Sequence, residues 1–207
     1  MMYIADTSAY LHPAYNQDLL YQVFSPPDLF KVRPAQIAAY VQWQSKRVQG
    51  MEQAGTYVPL YVHGEYYRMT GHVHEHMEQF QKTHPKHELC RFLPSWRESN
   101  ERVMASMKKW LIRPSSLSAT RYFRIKDIVS RAAAEVVECR NNRADIAVMI
   151  DVLSHAHDQE VTILTRDHHF PRILNAAYGA ADWQIHGIQI TTVEKFLETA
   201  HKAPDTP

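Results

Sequence analysis

Three short apolar runs constrain this chain more than anything else in it. MYIAD (2–6), VTILT (161–165) and HGIQITT (186–192) are each nearly continuous in β-prone residues, with no polar alternation. A strand that reads this way is buried on both faces, and such strands belong to parallel sheets covered by helices. The C-terminal third also alternates strand-like and helix-like segments. EVVEC (135–139) reads as another strand, residues from Ala144 as a helix, HFPRILNAAYGA as a turn and helix, and VEKFLETA as a closing helix. This alternation predicts an α/β fold with a central, mostly parallel sheet in a three-layer α/β/α arrangement.

The rest of the chain departs from the pattern. Residues 15–24 read as helical and SPPD (25–28) as a break. A long helical pattern follows at about 35–54, and TYVPLYVHG (56–64) reads as a strand weakened by Pro59. The stretch GEYYRMTGHVHEHMEQFQKTHPKH is polar and only partly helical in its pattern. ELCRFLP reads as a short extended piece, 98–111 as a helix and 113–119 as a loop. Residues of about 66–120 therefore read as a helical insertion within a single domain of 207 residues.

Composition narrows the class. Hydrophobic residues make up 45% of the chain, enough for a substantial core, and the net charge of +1 excludes a globally basic nucleic-acid binder. Cys90 and Cys139, the two cysteines, have no metal-ligand or disulfide spacing, which fits a reducing compartment. No leader pattern and no apolar run of membrane-spanning length occurs, so the expectation is a cytoplasmic protein with no membrane partner. Glycines number six and no GxxxxGK loop is present. A phosphatase that opens on a strand ending in Asp needs a second acid where Ser8 stands. A receiver domain needs an early acidic pair that is missing.

The strand ends carry the chemistry. In open parallel sheets ligands gather beyond the carboxyl ends of the strands. Asp6 ends the first run, Asp167 follows VTILT, and Asp145 sits at a helix start that lies on the same edge. Like charges gathered in one crevice disfavour each other's ionisation, and a hard divalent cation relieves them. Asp6, Asp145 and Asp167 are therefore the candidate ligands of Mg²⁺ or Mn²⁺ and the candidate catalytic acids. That constellation suits metal-assisted phosphoryl chemistry. Each acid also has a plain structural use: Asp6 as a helix N-cap, Asp145 as a first-turn acid, Asp167 as a turn residue.

Around the three acids stand supporting candidates. Ser8, Thr165, Arg166, His168 and His169 flank them in sequence, and Arg166 suits a carboxylate or a phosphate. Asp151 lies six residues past Asp145, about 9 Å along a helix and about 120° round it. It is read as a supporting residue, paired with Arg143 or Arg166, or else as a surface acid. RYFRIK (121–126) interleaves Arg121, Arg124 and Lys126 with Tyr122 and Phe123, a pattern that suits single-stranded nucleic acid or an ordinary amphipathic helix start. His72 and His76, in a segment (72–87) rich in histidine, have helical chelating spacing but no HExxH context, and a solvated polar stretch is the simpler reading.

IADTSAY, RADIAVMIDVL and VTILTRDHHF together resemble the PIN-like nuclease superfamily, most closely its NYN branch. The resemblance covers the first ten residues and about 135–192. It implies a three-layer α/β/α fold and a Mg²⁺- or Mn²⁺-dependent nuclease, usually a ribonuclease. It also implies Asp6, Asp145 and Asp167 as metal ligands and Ser8 as a supporting hydroxyl. Two positions depart from the family pattern. His169 stands where its closing motif places another acid, and the Glu expected on an early helix has its nearest counterpart in Glu65. The expected partner is RNA, single-stranded or structured. An inhibitory protein, as in the toxin–antitoxin pairs of this superfamily, and a homodimer stay open. The alternative is a catalytically silent module of this type that binds RNA or a protein.

Overall fold

The computed structural model describes residues 1–11, 29–112, 117–136, 143–156, 159–179 and 187–200. Three parallel strands form one sheet in the order β1 (Met2–Ala5), β2 (Val161–Leu164), β3 (Ile188–Thr191). Met2 stands opposite Val161, and Val161 opposite Ile188. All four side chains of β2 are buried, as a central strand with no polar alternation requires. The N–H of Val161 donates to the carbonyl of Gly187, which turns into β3 at φ 71°.

Helices account for most of the described chain. They are α1 (Pro34–Gln53), α2 (Leu60–Thr83), α3 (Leu93–Lys109), α4 (Ala119–Glu135), α5 (Arg143–His155), α6 (His169–Tyr178) and α7 (Val193–Ala200). This overturns the three-layer α/β/α expectation: the chain is a mostly helical protein around a small three-stranded sheet. The physical reasons are local. Each strand has four residues, so the sheet is only about 13 Å along the strands. The helices pack largely on one another, α1 on α3, α2 on α3, and α4 on α5 and α6. Their buried side chains, among them Tyr40, Tyr66, Trp96 and Met107, join the strand residues in one hydrophobic cluster.

The strand expected at 56–64 is reduced to two bridges, Tyr57 beside Ile4 and Val58 beside Leu111. Pro59 has no N–H to extend a ladder and is the N-cap of α2, so the apolar residues after it go into a helix. The His-rich stretch is continuous helix through Thr83, because Val62, Tyr66, Met69, Val73, Met77 and Phe80 recur at helical spacing and are all buried. ELCRFLP is no extended piece; it forms a 3-10 turn (Glu88–Arg91) and the start of α3. In the proposed EVVEC strand, Glu135 ends α4 and Val136 is a bend, while 137–139 lie outside the described residues. The helix expected at 15–24 also lies outside them, as does Cys139. No described helix is long and apolar enough to cross a membrane.

Candidate metal and catalytic centre

The carboxyl end of the sheet is built by hydroxyl groups that hold acids. Asp6 follows β1 and N-caps a 3-10 turn (Thr7–Tyr10), where its Oδ2 accepts from the Ser8 N–H at 3.2 Å. Thr165, just past β2, donates its hydroxyl to the same Oδ2 at 3.0 Å and lies 3.2 Å from Ser8 Oγ. Ser8 Oγ accepts the Arg166 N–H at 3.0 Å, and Thr165 Oγ1 accepts the Asp167 N–H at 2.9 Å. The ends of two neighbouring strands are thus laced together by two hydroxyls, each of which also orients a turn. The expected N-cap role of Asp6 is real and coexists with its place in the site.

Asp145 lies in the first turn of α5, 5% exposed, where the helix N-terminus favours an anion. His169 opens α6 beside it. Its Nδ1 stands 3.2 Å from Asp145 Oδ2 and 3.0 Å from Asp167 Oδ1. Asp167 Oδ1 also accepts the His169 N–H at 2.8 Å, which is its turn role. His168 is 73% exposed, with Nδ1 3.9 Å from Asp167 Oδ1.

Glu65 joins this group from α2. Its carboxylate accepts a hydrogen bond from the Thr7 hydroxyl, across 58 residues of sequence. Its neighbour Tyr66 is held in a buried polar network. Gln44 Nε2 lies 2.6 Å from the Tyr66 hydroxyl, that hydroxyl donates to Asn100 Oδ1 at 3.1 Å, and Ser99 Oγ donates to Gln44 Oε1 at 2.5 Å. These buried bonds lock α1, α2 and α3 in rotation.

The electrostatics follow from the burial. Asp6 is raised above the usual carboxylate range by desolvation, against which the Ser8 and Thr165 hydrogen bonds work. Asp145 is pushed up to about 8, first by desolvation and then by the negative charges of Asp6, Asp167 and Glu65. Asp145 therefore feels three further acids that reach it from separate parts of the chain. As a donor set this fits a hard divalent cation, which would offset the negative charge pressing on Asp145. Asp6, Asp145 and Asp167, with Glu65, are the residues that would hold it.

Several expected site residues sit elsewhere. Arg166 meets neither an acid of the cluster nor Asp151. Its guanidinium pairs with Glu194 on α7, which also takes Arg47 Nη2 at 2.9 Å. Burial opposes ionisation of Glu194, but the hydrogen bonds from Arg166 and Arg47 outweigh it and hold the carboxyl at about 2. Sequence reasoning missed Glu194, although it follows β3 at the same topological position that singled out the other acids. Asp151 lies away from the crevice on α5. Desolvation raises it to about 6, and the nearby His155 offsets this in part.

Arg121 and Arg124 are also remote. They share a groove with Leu153 near the end of α5, Tyr178 at the end of α6 and Ile188 at the start of β3. Asp145 and His169 begin those same two helices, so the groove lies at the opposite end, more than about 12 Å along the α5 axis. The basic segment 121–126 therefore lies at the opposite end of the sheet from the acids. Lys126 lies on the same α4 and is exposed. His72 pairs with Glu75 at 3.8 Å on the outer face of α2. Among the described residues, the group of three close metal-ligating side chains is Asp167, His168 and His169, not the pair His72 and His76. Family models, curated proteins and solved structures were each compared with this chain, and none of them matches it.

Proposed function

We propose that this chain is a divalent-metal-dependent nuclease, with RNA as its substrate class and internal phosphodiester cleavage as its reaction. The observation that carries the proposal is the buried Asp145, on which the charges of Asp6, Asp167 and Glu65 act from three other parts of the chain. A stability-driven fold gains nothing by burying Asp145 among the charges of three other carboxylates, since they raise its cost of ionisation. The reading rests on that constellation and not on a three-layer fold, which the chain does not have. The preference for RNA comes from the resemblance to PIN-like nucleases in the IADTSAY, RADIAVMIDVL and VTILTRDHHF segments.

Roles divide by position. Asp6, Asp145 and Asp167, with Glu65, hold Mg²⁺ or Mn²⁺. When bound, such an ion supplies Lewis acidity, a more acidic water and charge neutralisation for a phosphodiester. Ser8 and Thr165 fix the direction of the Asp6 carboxylate. Thr7 fixes that of Glu65. His168 is exposed at the rim and suits contact with a phosphate.

The test is Mn²⁺-dependent cleavage of single-stranded and structured RNA by the wild type and by Asp6→Asn, Asp145→Asn and Asp167→Asn. Loss of cleavage in all three at preserved folding supports the proposal. A wild type that cuts neither RNA nor DNA with any divalent ion refutes it. One observation favours the second reading, a binding module: α4 exposes Phe123 (62%) and Tyr122 next to Arg121, Arg124 and Lys126. Rings and cations together suit a single strand. RNA binding that survives all three Asn variants, without cleavage, would select it.

A further inference from the structure

His169 is the residue that breaks the all-acid pattern, and its placement is specific. Its Nδ1 stands 3.0 Å from Asp167 Oδ1 and 3.2 Å from Asp145 Oδ2, with the ring mostly buried at 18% exposure. The donor atoms of Asp167, His168 and His169 all lie within 4.8 Å of one another. Two ligands on one ion, with bonds of about 2.1 Å at right angles, stand about 3.0 Å apart. Both Nδ1 spacings match that edge. The Asp167 and His169 pairing is also built into the backbone. The His169 N–H holds Asp167 Oδ1 at 2.8 Å, which keeps the carboxylate next to the residue that carries the ring.

Nitrogen changes what such a centre prefers. Mg²⁺ favours oxygen donors, whereas imidazole suits first-row transition ions, and affinity for N/O sites climbs from Mn²⁺ onward. We infer that His169 is itself a ligand of this centre, through Nδ1, making a mixed carboxylate–imidazole site that selects Mn²⁺ and later first-row ions over Mg²⁺. This rests on the reading of the acids as ion ligands. In the ion-free chain the same nitrogen makes the hydrogen bond to the carboxylates, and ligation needs its neutral form. His168, exposed and adjacent, is a rim residue and not the required donor.

The experiment uses the full chain with Mn²⁺ and Mg²⁺ as probes, followed by calorimetry and by pulsed electron paramagnetic resonance of bound Mn²⁺. The wild type is expected to bind Mn²⁺ at least about tenfold more tightly than Mg²⁺, and to show ¹⁴N coupling to the bound Mn²⁺. His169→Asp is expected to lose that coupling and to close most of the Mn²⁺/Mg²⁺ gap, while His168→Ala keeps both. Absence of ¹⁴N coupling in the wild type overturns the inference without any variant having to fold. Coupling that persists in His169→Asp and vanishes in His168→Ala overturns it as well. If Mn²⁺ binds, depends on Asp145 and shows no nitrogen, His169 alone is refuted and the carboxylate centre stands. A chain that binds no divalent ion refutes both.

Discussion

Thr165 and Asp6, 159 residues apart, share a 3.0 Å hydrogen bond that ties the end of β2 to the end of β1. The same hydroxyl accepts the Asp167 N–H at 2.9 Å, so one side chain sets both acids. Thr165→Val keeps the shape and removes both bonds. Leaving a buried carboxylate and an amide short of partners costs about 1–3 kcal/mol. Urea denaturation should show that loss, and Thr165→Ser should recover most of it. If Thr165→Val unfolds at the wild-type midpoint, the hydroxyl does not hold the site together.

That bond also shows which parts of the site are readable from sequence. Asp6 and Asp167 were legible because an apolar strand run ends visibly, and whatever follows lies at the sheet edge. Asp145 was picked out as the start of a helix after a strand-like segment, and it stands by His169 although Glu135 of that segment ends α4 instead. The placement of Glu65 was not legible, because it depends on how α2 is rotated. That rotation is fixed by Gln44, Tyr66, Ser99 and Asn100, residues from three helices whose meeting no local pattern announces. The partner of Arg166 was likewise hidden: the sequence offered Asp151 or a phosphate, while Glu194 wins by packing. The fold class failed at the strands. Pro59 and the four-residue strand lengths limit the sheet, and periodic apolar residues after Pro59 extend a helix instead.

The Glu194 clasp predicts an acid-side stability slope. Its folded value of about 2 lies below the ordinary carboxyl value of 4.5, so its contribution is fully present above that value and is lost as pH falls toward 2. Because Glu194 is nearly half exposed, the loss should be only about 1 kcal/mol between pH 5 and pH 2. Glu194→Gln should flatten that part of the stability curve. At neutral pH the same variant should cost more, about 2 kcal/mol, because Arg47 is 4% exposed and would stay buried with its pairing charge gone. Chemical denaturation across pH reads both. An unchanged slope would mean that the arginines find water instead.

Asp151 predicts the opposite sign in the next pH window. Burial raises its folded value to about 6, above the unfolded 3.8. The neutral form is therefore the favoured folded form. This contribution is fully present below about pH 3.8 and disappears as pH rises through 6. Wild-type stability should fall by about 1–2 kcal/mol more between pH 4 and pH 7 than that of Asp151→Asn, which cannot ionise. Parallel curves for the two proteins would contradict the buried placement of this carboxyl. Since Asp151 is remote from the crevice, the variant should retain Mn²⁺-dependent cleavage.

Asp145 should separate stability from function. In the ion-free chain its carboxyl is desolvated and surrounded by the charges of Asp6, Asp167 and Glu65, so it is costly to the fold. Asp145→Asn removes that cost while keeping the side-chain shape. The ion-free variant should therefore be more stable than wild type, by about 2 kcal/mol near neutral pH. Added Mn²⁺ should reverse the ranking. Ion binding stabilises the wild type in proportion to the logarithm of its saturation, by about 2.7 kcal/mol at one hundred times the dissociation constant, and the variant lacks a ligand. Thermal melts with and without Mn²⁺ test both halves. A variant less stable than wild type without the ion, or equally raised by it, would place Asp145 among ordinary helix-start acids and remove it from the centre.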